Sequence, residues 1–450
     1  MKPLPDKFEE NLRTLLGDEF HTFASSLQEP APVSIRLHPL KNTLADRLES
    51  VPWSQLGRYL AERPAFTLDP LFHAGAYYVQ EASSMFLEQA LRQSVDLSQR
   101  LNVLDLCAAP GGKSTHLLSL ISRDSLLVSN ETIRARASIL SENVQKWGFA
   151  NAVVTNNDPA DFQRLQGFFD VIVVDAPCSG EGLFRKDPEA MSEWSPDNVR
   201  LCCSRQKRIV SDAWDALKEN GILIYCTCTY NPHENEENLK WLRENKPVEF
   251  VRLSIDPSWG TEEVKTDNVI AYRFFPHRMR GEGFFLSAIR KRERTDPPRL
   301  KIRNNVATPS KKIRERLSVW ITNPEALTFF QFNDLIFHTT VSPAQDLEFI
   351  LQHLKIVYAG TNLATLKHDK LIPDHALALS MDISRNNFPE VEVKATTALQ
   401  YLRREAIQLP GEPAGFTLLT YRNLPIGWVN VLSNRVNNMY PREWRIRMSG

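Results

Sequence analysis

From residue 101 the chain alternates short apolar runs with longer stretches in which apolar residues recur at helical spacing. Leu101, Val103, Leu104 and Leu106 suit a strand buried on both faces, and the run stops at Gly111 and Gly112 before a helical pattern begins. Further apolar runs at 126–130, 151–158, 169–178 and from 221 alternate with helical patterns near 132–147 and 197–218, and ENEENLKWLREN follows the last run. Repeated strand and helix units predict a mainly parallel sheet. VEFVRL, VIAYRFFP and GFFLSAIRK come next without helices of comparable length, which predicts an antiparallel edge. Upstream, Phe8, Leu12, Leu15 and Leu16 recur at helical spacing, Phe20, Phe23 and Leu27 continue a helical unit, and Val33, Ile35 and Leu37 alternate as a strand does. GAYYVQEASSMFLEQAL, from Gly75, is predicted to be helical. Residues 311–450 mix short strands and helices, with GFTLLTYRNLPIGWVNVL predicted as a hairpin around an Asn-Leu-Pro turn.

At 450 residues the chain exceeds one ordinary core, so two or three domains are expected. We divide it into a lead-in domain at 1–95, a catalytic domain at 96–293, a linker at 294–310 and a C-terminal region at 311–450. Lys+Arg and Asp+Glu both number 54, yet residues 301–450 hold 18 basic against 13 acidic side chains, so a polyanion would meet that part first. RKRERTDPPRLKIR, with seven basic residues, two acidic ones and a Pro-Pro pair, is an exposed joint or a route for a nucleic-acid backbone. The closing NRVNNMYPREWRIR sets Arg435, Arg442, Arg445 and Arg447 among Tyr440 and Trp444, a mixture that suits RNA but also a charged exterior over a small core. Six cysteines, two adjacent and two one residue apart, do not make a disulfide framework and point to the cytoplasm. The first residues contain no apolar segment of signal-peptide length, and no run approaches the roughly 20 apolar residues that span a bilayer, so no membrane is expected.

The glycines after the first strand allow backbone to approach a ligand at the positive end of the next helix. A P-loop needs a glycine where Cys107 stands, and G-x-G-x-x-G is absent, which leaves a nucleoside ligand without a phosphate chain. Carboxylates at successive strand ends support this. Glu131 is placed for ribose hydroxyls, Asp158 for an adenine amino group and Asp175 nearest the reacting centre, although each singly is as readily a solvated loop residue or helix cap. Cys178 and Cys228 lie just past the fourth and fifth strands, so the fold brings them together; two inert buried thiols are the plain alternative. A zinc site from Cys178, Cys202, Cys203, Cys226 and Cys228 is disfavoured, because no C-x-x-C pair exists, and no metal is expected. Paired thiols beside a nucleoside cofactor have a specific use: a thiolate adding to carbon 6 of a pyrimidine makes carbon 5 nucleophilic enough to take a methyl group.

DLCAAPGGKS, DAPCSGEG and YCTCTY, in this order, resemble motifs of the Nop/Sun family of RNA cytosine-5 methyltransferases, and the whole chain is similar to its bacterial RsmF-like branch. YYVQEASSM, FFPHRMRGEGFF and GWVNVLSNRVNNMYPREWRIR extend the resemblance to both flanks. It implies an α/β architecture: a Rossmann-like class I methyltransferase domain, a small α+β N-terminal domain that contacts RNA, and a C-terminal PUA-like α+β RNA-binding region. It further implies S-adenosyl-L-methionine as cofactor, with Cys228 rather than Cys226 as nucleophile and Cys178 aiding product release. Asp175 and Lys113 would approach the cytosine base. Cys107, Ala108, Ala109, Pro110, Gly111, Gly112, Lys113, Glu131, Asp158 and Asp175 would contact the cofactor, with Arg136 supporting them. The implied partner is small-subunit ribosomal RNA or the subunit itself, with transfer RNA as the alternative and the protein acting as a monomer. A non-catalytic RNA-binding assembly factor and a small-molecule methyltransferase are the competing readings.

Overall fold

The computed structural model describes residues 4–41, 48–296 and 306–448. Near the N-terminus, α1 (Asp6–Leu16) and α2 (Phe20–Ser26) turn Phe8, Leu12, Phe20 and Phe23 to one side. That apolar side packs on Phe184, Trp194, Tyr230 and Phe275. A three-stranded antiparallel sheet follows, with β1 (Val33–Leu37) between β2 (Gly57–Leu60) and β3 (Tyr77–Val79). The stretch from Gly75 therefore starts as a strand, against the helical expectation. Tyr77, Tyr78 and Val79 pair with Leu37, Arg36 and Ile35, and this pairing suits β-formers better than a helix does. The chain turns helical only at 83–86 and in α4 (Leu87–Ser94), after the short α3 (Pro70–His73) that precedes β3.

The central sheet has ten strands. Five are parallel: β4 (Asn102–Asp105), β5 (Leu126–Asn130), β6 (Ala152–Thr155), β7 (Phe169–Asp175) and β8 (Leu217–Thr227), in the order β6-β5-β4-β7-β8. Their connections carry α5 (Gly112–Leu120), α6 (Arg134–Trp147), α7 (Pro188–Glu193) and α8 (Pro196–Trp214). α8 ends earlier than expected and β8 begins earlier, at Leu217. After α9 (Glu236–Asn245) come β9 (Val248–Phe250), β10 (Glu262–Thr266), β11 (Val269–Phe274) and β12 (Phe284–Lys291), all antiparallel to their neighbours, as the late apolar runs predict. The polar β10 gave no apolar signal; it is paired through an Asp267–Asn268 turn with both residues at positive φ, the turn type whose twist suits a hairpin.

Apolar clusters cover both faces of this sheet, which explains the near-continuous hydrophobic runs. At its outer edge the strand Ile356–Ala359 pairs antiparallel with β6 and so caps hydrogen-bonding groups that would otherwise be exposed. The rest of the C-terminal part forms two four-stranded sheets. In the second, the hairpin turns at Arg422–Asn423, both at positive φ, rather than at Asn-Leu-Pro, because Leu424 and Pro425 already belong to the next strand. Most of the basic linker, residues 297–305, lies outside the described residues. Among the described residues, no helix is long and apolar enough to cross a membrane.

Two buried cations fasten these parts together. The Arg36 guanidinium donates to Gln80 and Thr115 and lies over the Trp147 ring, tying β1 to the first turns of α5. Lys41 donates from Nζ to the carbonyls of Ala74, Lys146 and Leu379 at 3.1, 2.8 and 2.7 Å. All three carbonyls lie at the C-terminal ends of helices, where a positive charge is favoured. Replacing Lys41 by Met strands them without donors, and we expect a loss of about 3 kcal/mol in urea unfolding at an unchanged m-value.

Candidate active site

The carboxyl ends of β4 to β8 line up along one edge, on either side of the point where the strand order reverses between β4 and β7. Past β4 the chain turns through residues 106–111 into α5, with Gly111 at φ 114° as the cap that only a glycine adopts without strain. Neighbouring side chains brace this turn: Arg136 Nη2 donates to the Ala109 carbonyl at 2.9 Å and Asn143 Nδ2 to that of Pro110 at 2.8 Å. The two glycines are also closely packed. A Cβ at Gly111 would lie 3.3 Å from Leu140, and one at Gly112 would lie 3.3 Å from the Tyr78 ring.

Past β5, the buried Glu131 accepts from the Ile133 amide at 2.8 Å and pairs with Arg136 at 3.2 Å. Past β6, Asp158 caps the following turn through the Ala160 amide and lies 3.4 Å from Arg208 of α8. Asp175 ends β7 and pairs with Lys113 of α5 at 2.7 Å. Burial alone would depress Lys113, but the Asp175 carboxylate outweighs it and holds the ammonium above the usual lysine range; the Phe284 ring lies 5.3 Å from Nζ. Beneath the turn, burial pushes Asp105 up to about 7, and Ser114 donates to it at 2.7 Å.

β7 and β8 are adjacent and parallel, with Asp175 opposite Cys226, so the residues that follow them also meet. Cys178 Sγ lies 3.2 Å from Cys228 Sγ. The contact with Cys228, then desolvation, then the charges of Cys228 and Glu234, hold the Cys178 thiol well above its ordinary range. Cys226 is fully buried, and burial likewise raises its thiol. Cys202 and Cys203 lie on α8. Among the described residues no group of three potential ligands is placed to hold a metal ion.

One cleft of about 540 Å³ joins these ends. Cys107, Ala109, Glu131, Arg136, Asp158, Asp175, Cys178 and Cys228 line it; Ala108, Pro110, Gly111, Gly112 and Lys113 do not, although Lys113 reaches Asp175 from behind. The sequence reading missed Ile133, Leu183, Arg205 and Arg208, which also line it. Ile133 and Leu183 are large apolar side chains exposed at its mouth, and no pattern distinguishes them from ordinary surface residues. The arginines recur at i, i+3 on a helix, and that spacing was an available signal.

Family models match three segments: residues 93–290 match the 16S rRNA methyltransferase RsmB/F, 4–82 the N-terminal domain of 16S rRNA methyltransferase RsmF, and 388–446 the methyltransferase RsmF PUA domain. The ribosomal RNA small subunit methyltransferase F of Escherichia coli O127:H6 is 30% identical, over 98% of this chain and 96% of its own length. The chain belongs to the RsmB/F family of 16S rRNA methyltransferases. The enzyme of the same description from Shigella boydii serotype 4 aligns to the same extent. Among solved structures, a methyltransferase homolog protein from Pyrococcus horikoshii is 27% identical with a TM-score of 0.55, over 64% of this chain and 95% of that one. NSun6 from Pyrococcus horikoshii shares the fold at 20% identity and a TM-score of 0.53, over 64% and 98%.

As an RsmB/F-family protein, the chain is an S-adenosylmethionine-dependent RNA (cytosine-5) methyltransferase with a Rossmann-like core and added N-terminal and PUA-like α+β parts. Its cleft fits the cofactor. The volume lies in the roughly 300–1,000 Å³ range of small-molecule sites. Three carboxylates from three strand ends line it as acceptors for hydroxyl and amino groups, and the turn from β4 into α5 carries Cys107 where a phosphate-binding loop has its first glycine.

Proposed function

We propose that this protein methylates carbon 5 of a cytosine in small-subunit ribosomal RNA through a transient bond between Cys228 Sγ and carbon 6 of the base. The observation that carries the reading is the 3.2 Å approach of Cys178 and Cys228 at the wall of a cleft also lined by Glu131, Asp158 and Asp175. Glu131 would hold the cofactor's ribose, Asp158 its adenine amino group, and the turn at 107–113, braced by Arg136, its aminoacyl arm. When bound, S-adenosylmethionine supplies an electrophilic methyl group.

The chain's own groups do the rest. The Cys228 thiolate adds to carbon 6, and the electron pair of the carbon 5–carbon 6 double bond moves onto the ring. Charge gathers at nitrogen 3, where the Lys113 ammonium, held by its ion pair with Asp175, would stabilise it through its fixed positive field. Once carbon 5 carries the methyl group, its proton passes to solvent water, the double bond reforms and the Cys228 sulfur is expelled as a thiolate. Cys178, in contact with that sulfur, serves this last step. The base must leave its stack to arrive here, which favours loops or partly assembled RNA. Residues 1–95 and the PUA-like end of 311–450 would hold the RNA, the linker 294–310 would join the catalytic part at 96–293 to the C-terminal region, and the protein would work as a cytoplasmic monomer.

Incubation with labelled S-adenosylmethionine and bisulfite mapping test the reading. Label in a defined cytosine of small-subunit RNA is expected, and label confined to transfer RNA would redirect the substrate assignment. The cleft also names an RNA contact. Arg136 and Arg208 each have a carboxylate partner, whereas Arg205 has none within ion-pair distance among the described residues. Arg205→Ala should raise KM for RNA about tenfold, reduce the salt dependence of RNA binding by about one phosphate contact, and leave KM for the cofactor unchanged.

A further inference from the structure

Glu234 is fully buried and, among the described residues, has no cation within ion-pair distance. A carboxylate in that position is costly unless donors surround it. Here they do. The Ser179 amide donates to Oε2 at 3.0 Å and its hydroxyl to Oε1, Gln206 Nε2 donates at 2.7 Å and Asn231 Nδ2 at 2.8 Å. The donors come from three places: the residue next to Cys178, the helix α8, and the residue three past Cys228. Glu234 itself is fixed by its backbone, since its amide donates to Asn231 Oδ1 at 3.0 Å and its carbonyl accepts from the Tyr225 hydroxyl at 2.6 Å. A second buried carboxylate, Glu181, closes the far side by accepting from Asn231, the Trp194 ring and the Tyr230 amide.

Other side-chain bonds also join the segments that carry the two thiols: the Ser179 and Thr229 hydroxyls lie 3.1 Å apart, and Glu181 accepts from Asn231 and the Tyr230 amide. β7 ends at Asp175, β8 ends at Thr227, and beyond both strands the ladder stops. The backbone links nearby are the Ala176 amide to the Cys226 carbonyl at 2.9 Å and the Gly182 amide to the Cys228 carbonyl at 2.8 Å. Glu234 reaches across this gap and grips Ser179 at two points, main chain and side chain, which fixes both the place and the rotation of the peptide next to Cys178.

We infer that Glu234 is a positioning residue: its carboxylate clamps the loop bearing Cys178 to the strand end bearing Cys228 and thereby sets the distance between the two thiols. The inference deepens the covalent reading above, and the first arm of its test uses no RNA and so stands or falls separately from it. The nearby charge also helps keep Cys178 a thiol, consistent with the direction of its shift.

The test uses the full-length protein and two variants. Glu234→Gln keeps size and removes the charge, presenting a donor toward the Ser179 amide; Ser179→Ala removes one of the two grips and is mild enough to fold should the first variant not. In the first arm, the free enzyme is treated with diamide, and formation of a Cys178–Cys228 disulfide is followed by peptide mass spectrometry. Both variants should form it at least about tenfold more slowly than the parent. In the second arm, Glu234→Gln should lower kcat about a hundredfold, as an ångström-scale misplacement of reacting groups does, with both KM values unchanged. A role in folding alone would lower melting temperature without slowing the cross-link of the folded fraction. Disulfide formation at the parental rate in a folded variant would overturn the inference. A slowed cross-link with no label transferred by the parent would leave the clamp standing and remove the methyl-transfer reading instead.

Discussion

Replacing Cys228 by Ala should abolish methyl transfer to RNA, with a fall of at least about 1,000-fold in kcat, while RNA binding should stay within about threefold of the parent. The asymmetry follows from where the sulfur sits. Cys228 is a small side chain at the wall of the cleft, so its replacement deletes one atom's worth of packing and leaves the rest of the surface untouched. On the covalent mechanism proposed above, what would be lost is the addition to carbon 6, without which carbon 5 of cytosine is too weak a nucleophile. Cys178 does not take over. It follows β7 rather than β8, and desolvation and the Glu234 charge both disfavour its thiolate. Single-turnover assays with labelled cofactor, set beside filter binding of the same RNA, measure both quantities. Retained turnover would remove the covalent mechanism.

Replacing Cys178 by Ala has the opposite signature. Addition proceeds, because Cys228, the cleft and the Lys113–Asp175 pair remain, but resolution loses the group in contact with the departing sulfur. A covalent protein–RNA species should therefore accumulate under turnover conditions and appear as a shifted band on a denaturing gel, with product release slowed about a hundredfold. Absence of that band, with turnover slowed all the same, would place Cys178 before the addition step.

How far a sequence exposes such a site depends on which forces write themselves into it. Strands buried on both faces must be apolar throughout, so β4, β5, β7 and β8 stand out, and adjacent parallel strands oblige Cys178 and Cys228 to follow one another to the same edge. Local patterning is silent where pairing decides. Tyr77–Val79 lies in a stretch that reads as helix and becomes a strand because β1 offers a partner, and Ile356–Ala359 joins the edge at β6 from some 200 residues away. Glu234 is the clearest case. In NPHENEEN it looks like one more solvated acid, and only the fold reveals that Ser179, Gln206 and Asn231 converge on it.

The most direct measurement places the RNA–protein bond. In RNA that carries 5-fluorocytidine, carbon 5 holds fluorine where the departing proton should be, so the enzyme adds, transfers methyl and cannot eliminate. Digestion of that trapped species and mass spectrometry of the modified peptide should find the nucleotide on Cys228, within the fragment containing Thr227 and Thr229. A nucleotide on Cys178, or no covalent species with an RNA whose unfluorinated form is methylated, would contradict the account.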